Sequence, residues 1–135
     1  VIALDRKRAY AIKRETVDLI LEVSKESFPN EFAGILRCEK GVITEIMLLP
    51  GTISGSRSAL LRLHMLPIDY TVAGTVHSHP GESDHPSRGD LQLFGKFGYV
   101  HIITKVPYGR NCWKAWDLDG NPYHLEVLGE ESTSS

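Results

Sequence analysis

Thr75-Val76-His77-Ser78-His79-Pro80-Gly81-Glu82-Ser83-Asp84-His85-Pro86-Ser87-Arg88-Gly89-Asp90 is the stretch from which the rest of the chain can be read. It opens inside a run from Val72 to His79 that is long and apolar enough for a strand. Pro80 ends that run, because proline brings no N–H to a ladder. Side chains two apart in a strand point the same way. Val72, Gly74 and Val76 therefore share one face, and Ala73, Thr75, His77 and His79 share the other. Beyond a loop rich in proline, glycine and serine, Ser87-x-x-Asp90 has the spacing of a capping box. Leu91, Phe94 and Phe97 follow as the apolar face of the helix it would start.

Working outward, Val17, Ile20 and Leu21 recur at helical spacing between Glu15 and Ser27, Phe28 continues the pattern, and Pro29 closes it. Phe32 to Cys38 and Val42 to Leu49 are β-rich runs joined by Glu39-Lys40-Gly41, the signature of a hairpin with glycine in its turn. Leu60 to Leu66 reads as a further strand. Downstream, Tyr99 to Val106 is almost continuously apolar and β-branched, as a strand buried on both faces would be. Cys112 to Leu118 and Tyr123 to Leu128 are separated by Asp119-Gly120-Asn121-Pro122, a turn signal. Helix, strands, helix, strands is the order of an α/β or α+β domain, with a mixed sheet and helices packed on it.

Composition narrows the function. The chain has 135 residues, 41% hydrophobic and 24% charged, with a formal net charge of −2 and a pI near 6.3. At this length a core can bury roughly two thirds of the surface exposed by the unfolded chain, so a metal is not needed merely to fold. A nucleic-acid module would show a basic excess; here Arg6-Lys7-Arg8 with Lys13 and Arg14 is the one basic cluster, read as solvated surface. No stretch is long and apolar enough to span a bilayer, and the first residues lack the order of a secretory signal. Cys38 and Cys112 match no zinc motif and sit in apolar surroundings suited to free buried thiols, a bridge between them being the alternative. A cytoplasmic protein is the expectation.

His77 and His79 present two imidazoles from one strand face, and the helix start returns Asp90 as an oxygen donor. Two neutral imidazoles and a carboxylate suit one zinc ion, with water as fourth ligand, and an open position marks a catalytic rather than a structural site. Water so bound has a pKa near 7. Each member has a plainer reading as well: His-x-His as a hydrogen-bonded pair, Ser87 and Asp90 as helix caps. His85, in the loop, reads as exposed. His64, His101 and His124 lie in strand-like runs without a ligand spacing.

His77-x-His79-Pro80, seven residues from Pro80 to Pro86, then Ser87-x-x-Asp90 resembles the signature of the JAMM (MPN+) metalloproteases, with every position filled. Glu31, in Glu31-Phe32-Ala33-Gly34, matches the glutamate this family places before an early strand, a choice that spacing alone does not make. The resemblance covers nearly the whole chain and implies a cytidine-deaminase-like fold: a curved mixed sheet flanked by two main helices. Residues 1–129 would form one catalytic domain and 130–135 a disordered tail. It implies zinc on His77, His79 and Asp90, Glu31 as general base moving a proton from water to the leaving amine, and Ser87 as donor to the oxyanion. The short loops are most similar to compact archaeal and prokaryotic members. The implied substrate is the bond after the C-terminal Gly-Gly of a ubiquitin-like modifier or sulfur-carrier protein, its tail docked as an added strand beside a lip at 51–58. A scaffold that has lost catalysis, and a nuclease relative, are the other classes; the complete ligand set opposes the first and the acidic pI the second.

Overall fold

The structure is a computed structural model describing residues 8–48, 72–95 and 98–129. Seven strands of these residues form one mixed sheet: β1 (Ala11–Lys13), β2 (Ala33–Glu39), β3 (Val42–Leu48), β4 (Val72–Ser78), β5 (Val100–Thr104), β6 (Trp113–Trp116) and β7 (Glu126–Leu128). Their order is β6-β5-β4-β2-β3-β1-β7. Helix α1 (Arg14–Ser27) falls between β1 and β2, and helix α2 (Arg88–Phe94) between β4 and β5. The α/β reading with a mixed sheet holds.

The sheet curves strongly, and the chain itself shows why it must. β6 and β7 are its two edges. In a flat sheet they would stand about 29 Å apart, six gaps of about 4.8 Å. Yet Trp116 of β6 bridges to Pro122, and only four residues later Glu126 opens β7. Four residues reach at most about 14 Å, so the edges are brought towards each other. The turn at 119–122 is as expected: Asp117 Oδ1 accepts the N–H groups of Asp119 and Asn121, both at 2.9 Å. It does not join neighbouring strands, however. It sends the chain to the opposite edge, and Tyr123 to Leu125 precede β7 rather than belonging to it.

Strand alternation sorts the core into two layers. Val100 and Ile102 join Val17, Ile20, Leu21, Phe32 and Val76 in the cluster beneath α1. Ile103, on the other face of β5, packs with Phe94 of α2 and with Trp116. Ser24 of α1 and Thr104 of β5, both buried, hydrogen-bond at 2.8 Å. The hairpin between β2 and β3 turns at Lys40 and Gly41, whose φ values of 54° and 84° place both in the left-handed backbone region that two-residue loops use to match the right-handed twist of the strands.

Several expectations change. β1 was not apparent in the sequence; three residues are too few for a period, and it exists because β3 and β7 flank it in parallel. Phe28 does not join the core: it lies past the helix, 49% exposed, edge-on to Tyr108. Both cysteines are free. The strand at 60–66, Leu49, Phe97, the lip at 51–58 and the tail 130–135 lie outside the described residues. Among the described residues no helix is long and apolar enough to cross a membrane.

Candidate metal centre

β4 is held on both sides, antiparallel to β2 and parallel to β5, and all seven of its residues are buried. The histidines at its end therefore start from a fixed backbone. His77 Nε2 and His79 Nε2 stand 3.1 Å apart. Asp90, from the first turn of α2, sets Oδ1 at 3.3 Å from His77 Nε2 and Oδ2 at 3.3 Å from His79 Nε2. The carboxylate thus turns one oxygen to each imidazole, and one donor atom from each of the three residues lies within 4.8 Å of the others, close enough together to hold one ion.

Hydrogen bonds supply the capping geometry and the tautomer. Ser87 Oγ accepts the Asp90 N–H at 3.1 Å, and Asp90 Oδ2 accepts the Ser87 N–H at 2.9 Å, a reciprocal capping box. The carboxylate is thus aimed by the helix start. His79 Nδ1 donates to the Ser83 carbonyl at 2.9 Å, which leaves the Nε2 lone pair directed at the triangle. His77 Nδ1 is buried and has no hydrogen-bond partner among the described residues. The His79 Nε2 lone pair facing an anionic carboxylate is repelled unless a cation or proton sits between them, so this donor set fits a divalent ion.

The same field shows in the titrations. Burial pushes His79 down, but its bonds to Asp90 and Ser83 outweigh burial and its pKa ends raised. Burial pushes Asp90 up, and the hydrogen bonds from His77, His79 and the Ser87 N–H hold it far below the usual carboxylate range.

Glu31 and Ser87 line one cleft with His79, Asp90 and the turn 80–83. Glu31 Oε1 is buried without a hydrogen-bond partner among the described residues. The exposed Ser87 hydroxyl, already an acceptor, keeps its proton to donate. The loop between the ligands is tied down: Val106 N–H donates to Gly81 O at 2.8 Å, Trp116 Nε1 to Asp84 O at 3.0 Å, and Tyr108 Oη to His79 O at 2.7 Å. Tyr108 had no signal in the sequence.

The other histidines stay apart. His85 is exposed beside Asp84, His124 is exposed, and His64 lies outside the described residues. His101 is fully buried; it accepts from Thr75 Oγ1 at 2.8 Å, donates to Gly98 O at 3.3 Å and stacks on Phe94. Burial depresses its pKa to about 3, so it is neutral packing.

Comparison with known proteins agrees with this picture. The family described as prokaryotic homologs of the JAB domain matches residues 13–118, a span that includes all five site residues. A probable metalloprotease of Haloferax volcanii is 38% identical over 132 residues, 90% of this chain and 81% of that protein. A JAB1/MPN domain protein from Archaeoglobus fulgidus superposes with a TM-score of 0.74 at 41% identity, covering 87% of this chain and 98% of that chain. A structure described as a JAMM metalloprotease-like zinc site in the proteasome and signalosome gives 0.72 at 37% identity, covering 89% and 98%. The curved sheet, the helices among the described residues and the His-His-Asp cluster define a JAMM/MPN domain. This chain belongs to the JAMM metalloprotease family, among its prokaryotic JAB members.

Proposed function

We propose that this chain hydrolyses the peptide or isopeptide bond after the C-terminal Gly-Gly of a ubiquitin-like protein, with zinc held by His77, His79 and Asp90. The observation that carries the reading is the triangle of donors with Glu31 and Ser87 in the same cleft. Bound there, zinc supplies Lewis-acid polarisation of the scissile carbonyl and acidifies water in contact with it. The chain's own groups do the rest. Glu31 takes a proton from the attacking water as its oxygen bonds to the carbonyl carbon. The carboxylic acid then passes that proton to the departing amine as the carbon–nitrogen bond breaks. The Ser87 hydroxyl donates to the oxyanion formed between the two steps. Residues 1–129 act as one catalytic domain.

The test uses a ubiquitin-like protein carrying a linear C-terminal extension and, separately, one joined through a lysine isopeptide, with products read by intact mass. Zinc-loaded wild type cleaves after Gly-Gly; chelated protein does not. Glu31→Gln keeps zinc and loses turnover, whereas His77→Ala and Asp90→Ala lose both. Normal turnover in Glu31→Gln would remove Glu31 as the base. The ratio between the two substrates separates modifier removal from processing of a carrier's C-terminus.

A further inference from the structure

Ser78 lies between the two histidines and points to the face of β4 opposite theirs, where it is 0% exposed. The register that sets Ala33 opposite His77 brings Phe32 opposite Ser78. In a regular hydrogen-bonded antiparallel pair, two such residues exchange N–H to carbonyl bonds in both directions. Here only one direction is regular: the Ser78 N–H donates to Phe32 O at 3.1 Å. The Phe32 N–H goes instead to the Ser78 hydroxyl, at 3.0 Å. The chain parts from the ladder at this point, one residue after Glu31, and the hydroxyl spans the gap.

We propose that Ser78 is a positioning residue for Glu31, fixing through the Phe32 amide the backbone from which the carboxylate reaches the face of His77 and His79. The inference rests on Glu31 being the proton carrier. Among the described residues Glu31 Oε1 has no hydrogen-bond partner, so no polar bond aims the carboxylate and the backbone anchor governs its place. Phe32 is itself 2% exposed, and water does not replace the lost acceptor. Without the hydroxyl, the Phe32 N–H either stays unpaired or closes onto the Ser78 carbonyl, which draws Glu31 towards β4. In both cases the shuttle moves while the two histidines, on the opposite face, keep their strand.

The test is a double-mutant cycle. Ser78→Ala removes the hydroxyl, and Ser78→Cys removes it as a good acceptor at nearly constant volume; each is made alone and with Glu31→Gln. Turnover is followed on ubiquitin bearing an aminomethylcoumarin amide after its Gly-Gly, zinc affinity by chelator competition, and the Phe32 amide by hydrogen exchange. The expected result is zinc affinity within about threefold of wild type and Phe32 exchange at least about tenfold faster. kcat falls by about ten- to a hundredfold, the scale of a small misplacement of a catalytic group, with KM within about twofold. In the Glu31→Gln background the Ser78 changes cost nothing further. Undiminished kcat, full additivity with Glu31→Gln, or loss of zinc or of the fold in both Ser78 variants would overturn the proposal. Glu31→Gln with wild-type turnover would instead remove the proton-carrier reading, and this inference with it. An inactive Glu31→Gln beside fully active Ser78 variants leaves that reading standing and ends only the role of Ser78.

Discussion

Ser87 shows how one side chain serves two ends. Its oxygen accepts the Asp90 N–H and starts a helix, while its proton is free for the cleft. Ser87→Ala should lower stability by about 1 kcal/mol through the lost cap. On the proposed reading it should also lower kcat by about a hundred- to a thousandfold through the lost oxyanion donor, with zinc retained. Thermal melts, kcat and zinc content on one preparation separate the two. A stability loss with unchanged kcat leaves capping as its sole task. His101 is the contrasting case, a histidine used as packing. Its pKa is about 3 in the fold against about 6.5 unfolded, so protonation favours the unfolded chain. The stability tied to its neutral form is complete above pH 6.5. Between pH 6.5 and 3 it is lost at about 1.4 kcal/mol per pH unit. Urea melts at pH 7, 6, 5 and 4 should show a steeper fall for wild type than for His101→Gln; equal slopes would contradict the assignment.

Among the elements, β4 carries the most weight, because it bears His77, leads directly into His79 and joins the two halves of the sheet. Its tightest contact is at Gly74, where an added Cβ would fall 1.5 Å from the Val100 carbonyl oxygen of β5. The atom it meets is backbone and cannot swing away. Gly74→Ala should therefore open the β4–β5 ladder and cost about 3 kcal/mol or more, at the upper end of overpacking penalties. Zinc affinity should fall with it, since Thr104 O accepts the His79 N–H across the same ladder, at 2.9 Å. A denaturant melt and a zinc titration check this; wild-type values in both would show that the strands can separate without cost. α1 was readable from its apolar spacing and stop, and α2 from its capping box; of the apolar face expected for α2, Phe94 is buried but Leu91 is 38% exposed. β1 was not, since its pairing comes from β3 and β7.

For the whole molecule, the core beneath α1 stands apart from the donor triangle, and it decides what metal removal does. Chelation should leave the far-ultraviolet circular dichroism unchanged at 25 °C and lower the melting temperature. With free zinc at about a thousand times its Kd, binding stabilises by about 4 kcal/mol, or about 10–15 °C for a chain of this size. Loss of helical signal on chelation at 25 °C would show instead that the fold depends on the metal. Of the basic cluster, Arg14 pairs with Asp18 at 2.8 Å.

Much of the site was legible because its members are close in sequence or locally encoded. His77 and His79 share a face by strand alternation, and Ser87 with Asp90 announces a helix start; both are short-range rules. Glu31 was found by resemblance, since an acid before a strand has no period of its own. The amino-acid order alone thus determined the helices, the hairpin, the α/β class and the pair of histidines. Tertiary structure decided the sheet order, the curvature that brings β6 and β7 together, and the bonds that tie Ser78 to Phe32 and Tyr108 to the His79 carbonyl. The physical reason is distance along the chain: these contacts join residues far apart in sequence, and such contacts form only when several strands have already fixed one another's register.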